Sequence, residues 1–238
     1  VKRRNPPAIS KFRSGKTMMI QYINQYPENE EFDYAKRLRL LRERKLAQTA
    51  EKVKKEGGLN EDDYGRVVAP DYFKFKIVPN HPDGHFYGYS GWTENFTKLL
   101  AEHPLYVDPL DAFDELKALF DRYNIICGIG RDHHFNPDIR MGLELGWGGI
   151  LRKLERHRAQ NGPETYEFYD SEIAVVKAIV SFLRRISCQL AEFALIERNP
   201  VLKRNLEEMA DINFRMADGV PATMREAIQW MCHFSMFS

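Results

Sequence analysis

Hydrophobic positions return every three or four residues through most of the last third of the chain. SEIAVVKAIVSFLRRISCQLAEFALIER (171–198) keeps that spacing without a break, which predicts one long helix able to traverse a large domain. NPVLKRNLEEMADINFRMADG (199–219) predicts a second, with Asn199 as N-cap, Pro200 at the first helical position and Gly219 as the stop. VPATMREAIQWMCHFSMFS predicts a third, where Thr223 and Glu226 stand three apart as a capping box. That helix reaches Ser238 still apolar, with Ile228, Met231, Phe234 and Met236 as an exposed face. The expectation is that more protein lies beyond it.

Upstream the texture varies. EFDYAKRLRLLRERKLAQTAEKVKKEGG (31–58) places Phe32, Ala35, Leu38, Leu41, Leu46, Ala50 and Val53 at helical steps and ends in Gly57-Gly58. FKFKIVP (73–79) alternates like a short strand, and NHPDGHFYGYSGW after it is turn chemistry with aromatics, so a loop or hairpin on a helical body fits residues 70–92. Helices resume at TENFTKLLAEHP and at DPLDAFDELKALFDRYN, where Asp108 is a cap and Pro109 lies in the first turn. IICGIG (125–130) reads as a buried strand running into a loop. NPDIRMGLELGWGGILRKLERHRAQNG then starts a helix with Asn136 as N-cap, Pro137 first and Gly162 last. The chain thus divides into a basic helical segment (1–69), an aromatic loop or hairpin (70–92) and a helical body (93–238). The fold class is mainly α.

Charge adds one feature. The chain holds 35 Lys+Arg against 34 Asp+Glu, a net charge of +1, which argues against a dedicated nucleic-acid binder. Residues 1–58 nevertheless carry fifteen Lys and Arg against seven Asp and Glu, a balance of +8, leaving −7 on the other 180. A basic helix can bind nucleic acid or acidic lipid. Its interleaved acidic residues favour a solvated face packed on a partner domain. A hydrophobic fraction of 43% is ample for a packed core, and no run approaches the 18 or so apolar residues of a membrane span. No membrane and no nucleic acid are expected as partners. Cys127, Cys188 and Cys232 are odd in number and widely spaced, so a reducing compartment, the cytoplasm, is expected.

Candidate chemistry is sparse. SGKT at 14–17 lacks the glycine that a phosphate loop needs at position 10, which is Ser10, and GWGG (146–149) sits where helical glycines allow close packing. His81, Asp83 and His85 lie across a tight turn with no further metal ligand nearby in sequence, so no metal site is expected. The dense segment is GIGRDHHFNPDIR. Arg131, Asp132, His133, His134 and Asp138 crowd between an apolar run and a helix N-terminus, whose free N–H groups favour a carboxylate or oxyanion. Histidine there can exchange a proton with a substrate hydroxyl near neutral pH. On residue chemistry alone, a capped loop whose polar groups satisfy one another is the plainer reading.

The same segment carries a resemblance. Gly130, His134, Pro137 and Asp138, followed by Leu143, Gly146 and Gly149-Ile150, resemble a motif in the N-terminal half of the glycyl radical enzymes, the pyruvate formate-lyase-like group. Thr223, Glu226, Ala227 and Gln229 resemble the family's T-F-x-E-A-L-Q segment, with Met224 for Phe and Ile228 for Leu. The basic helix and YVDPLDAF are similar to its opening region. The resemblance implies the N-terminal helical part of a ten-stranded α/β barrel, wrapped by helices. It implies a backbone glycyl radical, installed by a radical S-adenosylmethionine activating enzyme, that generates a thiyl on a mid-chain cysteine. No cofactor is expected to bind directly, and a homodimer is expected. No glycine loop of the RVxGY kind occurs here, and no cysteine stands in the family's cysteine-loop context, so no catalytic residue is expected in this chain and it should be inactive alone. Cys232 is expected to pack. The passage from Phe113 into DELKALF is abrupt for the family, as if residues were absent. The resemblance further implies substrate-binding roles for His134 and Asp138, with Arg131 and His133 as second choices. A histidine at 134 tilts the reading toward a dehydratase, decarboxylase or other lyase, with formate C-acetyltransferase chemistry as the alternative. The other class left open is a non-catalytic helical interaction protein.

Overall fold

The computed structural model describes residues 21–22, 34–56, 73–103, 106–107, 120, 123, 125 and 138–237. Six helices stand in it: α1 (Tyr34–Glu56), α2 (Gly88–Glu102), α3 (Ile139–Gln160), α4 (Tyr166–Ile196), α5 (Pro200–Met216) and α6 (Met224–Phe237). A 3-10 turn, Pro163–Thr165, joins α3 to α4. Two short strands, β1 (Gln21–Tyr22) and β2 (Tyr106–Val107), pair in parallel with Gln21 opposite Tyr106. The mainly helical class holds among the described residues.

Helix α4 is the axis of the packing. Its 31 residues rise about 46 Å, and α2, α3 and α5 all pack on it. That explains why its apolar positions exceed one stripe: Ile173, Val176, Ile179, Phe182, Leu183, Leu190 and Phe193 are all buried. One core gathers Phe96, Leu99, Leu100, Ile179, Phe182, Leu183, Ile212, Met216 and Trp230. A second lies farther along α4 with Leu190, Phe193, Leu206 and Ala210. Ser187 bridges α4 to α5 by donating to the Ala210 carbonyl over 2.7 Å. Arg185 reaches from α4 to the open C-terminus of α2, donating to the carbonyls of Leu100, Ala101 and His103. The Leu100 and Ala101 carbonyls lie in the last turn of α2, where carbonyls lack an intrahelical partner and a cation suits the dipole end.

The predicted helix ends are met in the C-terminal third. Asn199 accepts from the Val201 and Leu202 amides, and Pro200 opens α5. Thr223 Oγ1 accepts from the Glu226 amide while Glu226 Oε2 accepts from the Thr223 and Ala222 amides, a complete capping box.

Elsewhere the fold corrects the sequence reading. Residues 73–80 alternate as expected, Phe75 buried and Lys74 and Lys76 exposed, but form no ladder among the described residues. Their backbone is held by side chains instead. Phe75 N–H donates to the Tyr123 hydroxyl, and Val78 exchanges two hydrogen bonds with the buried Asn95 amide. Period two reported the buried face but not the hydrogen-bond partner. Helix α2 starts at Gly88, five residues ahead of the expected Thr93, inside the segment taken for a loop. The α6 face is mostly covered: Met236 is buried, Met231 and Phe234 are half-buried, and only Ile228 of the four is exposed. Cys232 is exposed, not packed.

The capped Asp108–Pro109 helix, the SGKT segment, the Phe113 junction and Cys127 lie outside the described residues, apart from a helical Phe120. Leu38, Leu46 and Val53 of α1 are exposed. No helix among the described residues is long and apolar enough to cross a membrane.

Candidate functional site

The candidate site begins where α3 begins. Asp138 is its N-cap: the carboxylate Oδ1 accepts from the Met141 amide over 3.3 Å. The helix therefore starts two residues later than expected, at Ile139 rather than Pro137. An aspartate can satisfy a free first-turn donor and place negative charge at the positive dipole end, which an Asn136 cap would do less fully. Asp138 is exposed. Arg131, His133 and His134 lie outside the described residues, so of the four proposed substrate-binding residues Asp138 is the one whose place is described.

Past its first turn, α3 carries glycines at three packing points. A Cβ on Gly142 would run into the indole of Trp230. Gly146 has φ +60° and ψ 175°, outside helical geometry, and kinks α3 there. A Cβ at Gly146 would collide with the Gly219 carbonyl, and one at Gly148 with the Asp218 carbonyl. Only glycine meets both the positive φ and the close backbone approach. The glycines thus admit the turn after α5, as helical glycines were expected to, and no phosphate cradle is needed to explain them.

The kink brings two distant stretches together. Trp147, directly after it, packs on Trp230 at a ring-centroid distance of 5.2 Å. Trp230 belongs to α6, four residues past Glu226. The Gly142–Ile150 stretch and the Thr223–Gln229 stretch, far apart in sequence, therefore share one packing site.

Behind that contact lies a buried polar group absent from the sequence reading. His233 Nε2 stands 2.7 Å from Asn213 Oδ1, and Asn213 Nδ2 donates to the Met209 carbonyl. The second bond fixes the amide orientation, so Oδ1 can only accept and Nε2 carries the imidazole proton. Gln229 Nε2 stands 3.0 Å from the same ring nitrogen. Burial pushes His233 down to about 3, so it is neutral. Nearby, Glu226 binds Arg215 Nε at 2.8 Å, and Arg215 also pairs with Asp211. Burial on its own raises the Glu226 carboxyl. The Ala222 amide, Arg215 and Thr223 outweigh it and hold the group below its ordinary value. Helical spacing places His233 on the buried side of α6, and no sequence pattern tells a satisfied core histidine from a ligand.

The turn at His81–Gly84 also resolves. Asp83 Oδ1 accepts from the His85 amide and Oδ2 from the Tyr87 hydroxyl, each over 2.8 Å, while His81 Nδ1 lies 3.1 Å from Oδ1. The carboxylate closes a turn.

Residues 126–238 match the family model described as PFL-like, pyruvate formate lyase-like. That match takes in just under half of the chain. The matched region contains the Asp138 cap, the Gly146 kink and the Glu226 capping box, so both resembling motifs fall within it. Among solved structures, the chain is similar to the glycerol-bound form of the B12-independent glycerol dehydratase from Clostridium butyricum. The identity is 14% and the TM-score 0.47, over 85% of this chain and 34% of that one. The chain thus spans about a third of that protein's length. A likeness that distant fixes neither fold nor substrate. No curated protein matches the chain.

Proposed function

We propose that this chain is the N-terminal part of a glycyl radical enzyme acting on a small organic substrate by thiyl chemistry, in the cytoplasm and as a homodimer. The observation that carries the reading is the family match over 126–238, which contains both motif stretches. Their contact through Trp147 and Trp230 gives the two motifs a common structural purpose, fixing the start of α3 against α6.

In this reading His134 orients or polarises the substrate, and Asp138 holds the segment at the α3 N-terminus. Arg131 and His133 lie close enough in sequence to contact the same ligand. Neither radical position is in the chain, so it is inactive without the cysteine and glycine loops of the remaining protein. A radical S-adenosylmethionine activating enzyme installs the radical, and the chain itself holds no cofactor.

The lyase class is preferred over acetyl transfer to coenzyme A because histidine stands at 134. The test is turnover by the activated complete enzyme with vicinal diols and small hydroxy or carboxylic acids, set against pyruvate with coenzyme A. Elimination or decarboxylation, reduced at least a hundredfold by His134→Ala with the fold retained, supports the reading. Acetyl-coenzyme A and formate from pyruvate, or near-wild-type turnover by the variant, overturns it.

A further inference from the structure

Helices α3 and α4 leave an open cleft of about 400 Å³ beside the Ala217–Gly219 turn. Gly148, Leu151 and Arg152 line it from α3, Lys177, Val180, Ser181 and Arg184 from α4, and Asp218 from the turn. The α4 residues stand at i, i+3, i+4 and i+7, so they form one row along a single face, rising about 10 Å. Leu151 and Val180 supply an apolar floor. The volume falls within the range of small-molecule sites.

The charges are unequal. Arg184 pairs with Asp218 at 2.6 Å, and Lys177 lies 3.6 Å from Glu155. Both pairs are about half exposed, so solvent screens them and a ligand can compete for either cation. Arg152 has neither a hydrogen bond nor an ion pair among the described residues. The cleft is therefore lined by three cations and one carboxylate, Asp218, with Glu155 paired to Lys177 from outside the lining and the Arg152 guanidinium uncommitted among the described residues, next to the Ser181 hydroxyl.

We propose that this cleft binds the phosphate group of a small organic phosphate. A guanidinium fork suits a phosphate or a carboxylate in bidentate fashion. A phosphate has a further oxygen for Ser181 and enough charge to satisfy Arg152 while competing with Asp218 for Arg184. The ester's carbon part lies on Leu151 and Val180, where burial of apolar surface favours an ester over free phosphate.

The test is isothermal titration of the complete protein with inorganic phosphate and with phenyl phosphate at fixed ionic strength. Saturable one-site binding is expected, tighter for phenyl phosphate. Arg152→Gln weakens both at least tenfold. Arg225→Gln, which disturbs the remote pair with Glu208, changes neither. Arg152 is exposed, so its variant folds, and circular dichroism checks this. No saturable binding, or equal affinity in the Arg152→Gln variant, overturns the site. Equal affinity for the two probes overturns the ester assignment.

Discussion

Glu226 is a carboxylate with 5% of its surface exposed that serves two backbone amides and one guanidinium. Removing it frees the first turn of α6 and leaves Arg215 with Asp211 alone. Glu226→Ala should therefore cost about 2–3 kcal/mol, read from urea unfolding at neutral pH. Its folded carboxyl lies below the ordinary 4.5, so its stabilisation is present above that value and is lost as pH falls through the folded one. The gap between wild type and Glu226→Gln should narrow on acidification below pH 4.5. A constant gap would mean that the charge contributes nothing. His233 acts in a different window. Its folded value of about 3 lies below the ordinary 6.5, so between those limits the unfolded chain binds a proton that the folded one refuses. Stability should drop by about 1.4 kcal/mol per pH unit below 6.5 from this group. His233→Gln should remove that component of the slope. The capping box was legible because Thr223 and Glu226 sit three apart. His233 was not, because its partners Asn213 and Gln229 come together only when α5 and α6 pack.

Gly146 decides the course of α3. Alanine there would take up a positive φ and drive its Cβ against the Gly219 carbonyl. Gly146→Ala should cost about 2–4 kcal/mol and quench no binding site, checked by thermal unfolding. Asn95 does comparable work for the extended segment. Its amide is fully buried, serves both backbone groups of Val78 and also donates to the Gly91 carbonyl. Asn95→Ala should cost about 2–4 kcal/mol and open residues 73–80 to proteolysis before the rest of the fold. Helices α4, α5 and α6 were readable because their apolar period and their caps agree. The strand-like alternation at 73–79 gives a loop and not a hairpin strand among the described residues, because alternation records which side faces the core, whereas a ladder needs a second backbone alongside. The early start of α2 was hidden by Gly88 and Gly91, which read as turn residues. Gly91 is a packing residue against Asn80. The β1–β2 pair joins dipeptides more than eighty residues apart, a separation local pattern cannot report.

At the scale of the molecule, helices built on α4 carry the start of α3 on one side and α6 on the other, and the glycines of α3 set how closely they meet. The motifs that resemble the glycyl radical family are, in their described part, a cap, a kink and a capping box. Their identity was legible through spacing, while their work is structural. The chemistry assigned to Arg131, His133 and His134 rests on the family resemblance and on their place in the sequence ahead of Asp138. The central claim is that this framework belongs to a radical enzyme. Its most direct test is electron paramagnetic resonance of the protein encoded by the entire reading frame, after anaerobic incubation with a radical S-adenosylmethionine activating enzyme. The account predicts the doublet of a backbone glycyl radical, present in wild type and in His134→Ala alike. A reading frame with no glycine loop beyond Ser238, or a complete protein that gives no radical signal, would contradict it.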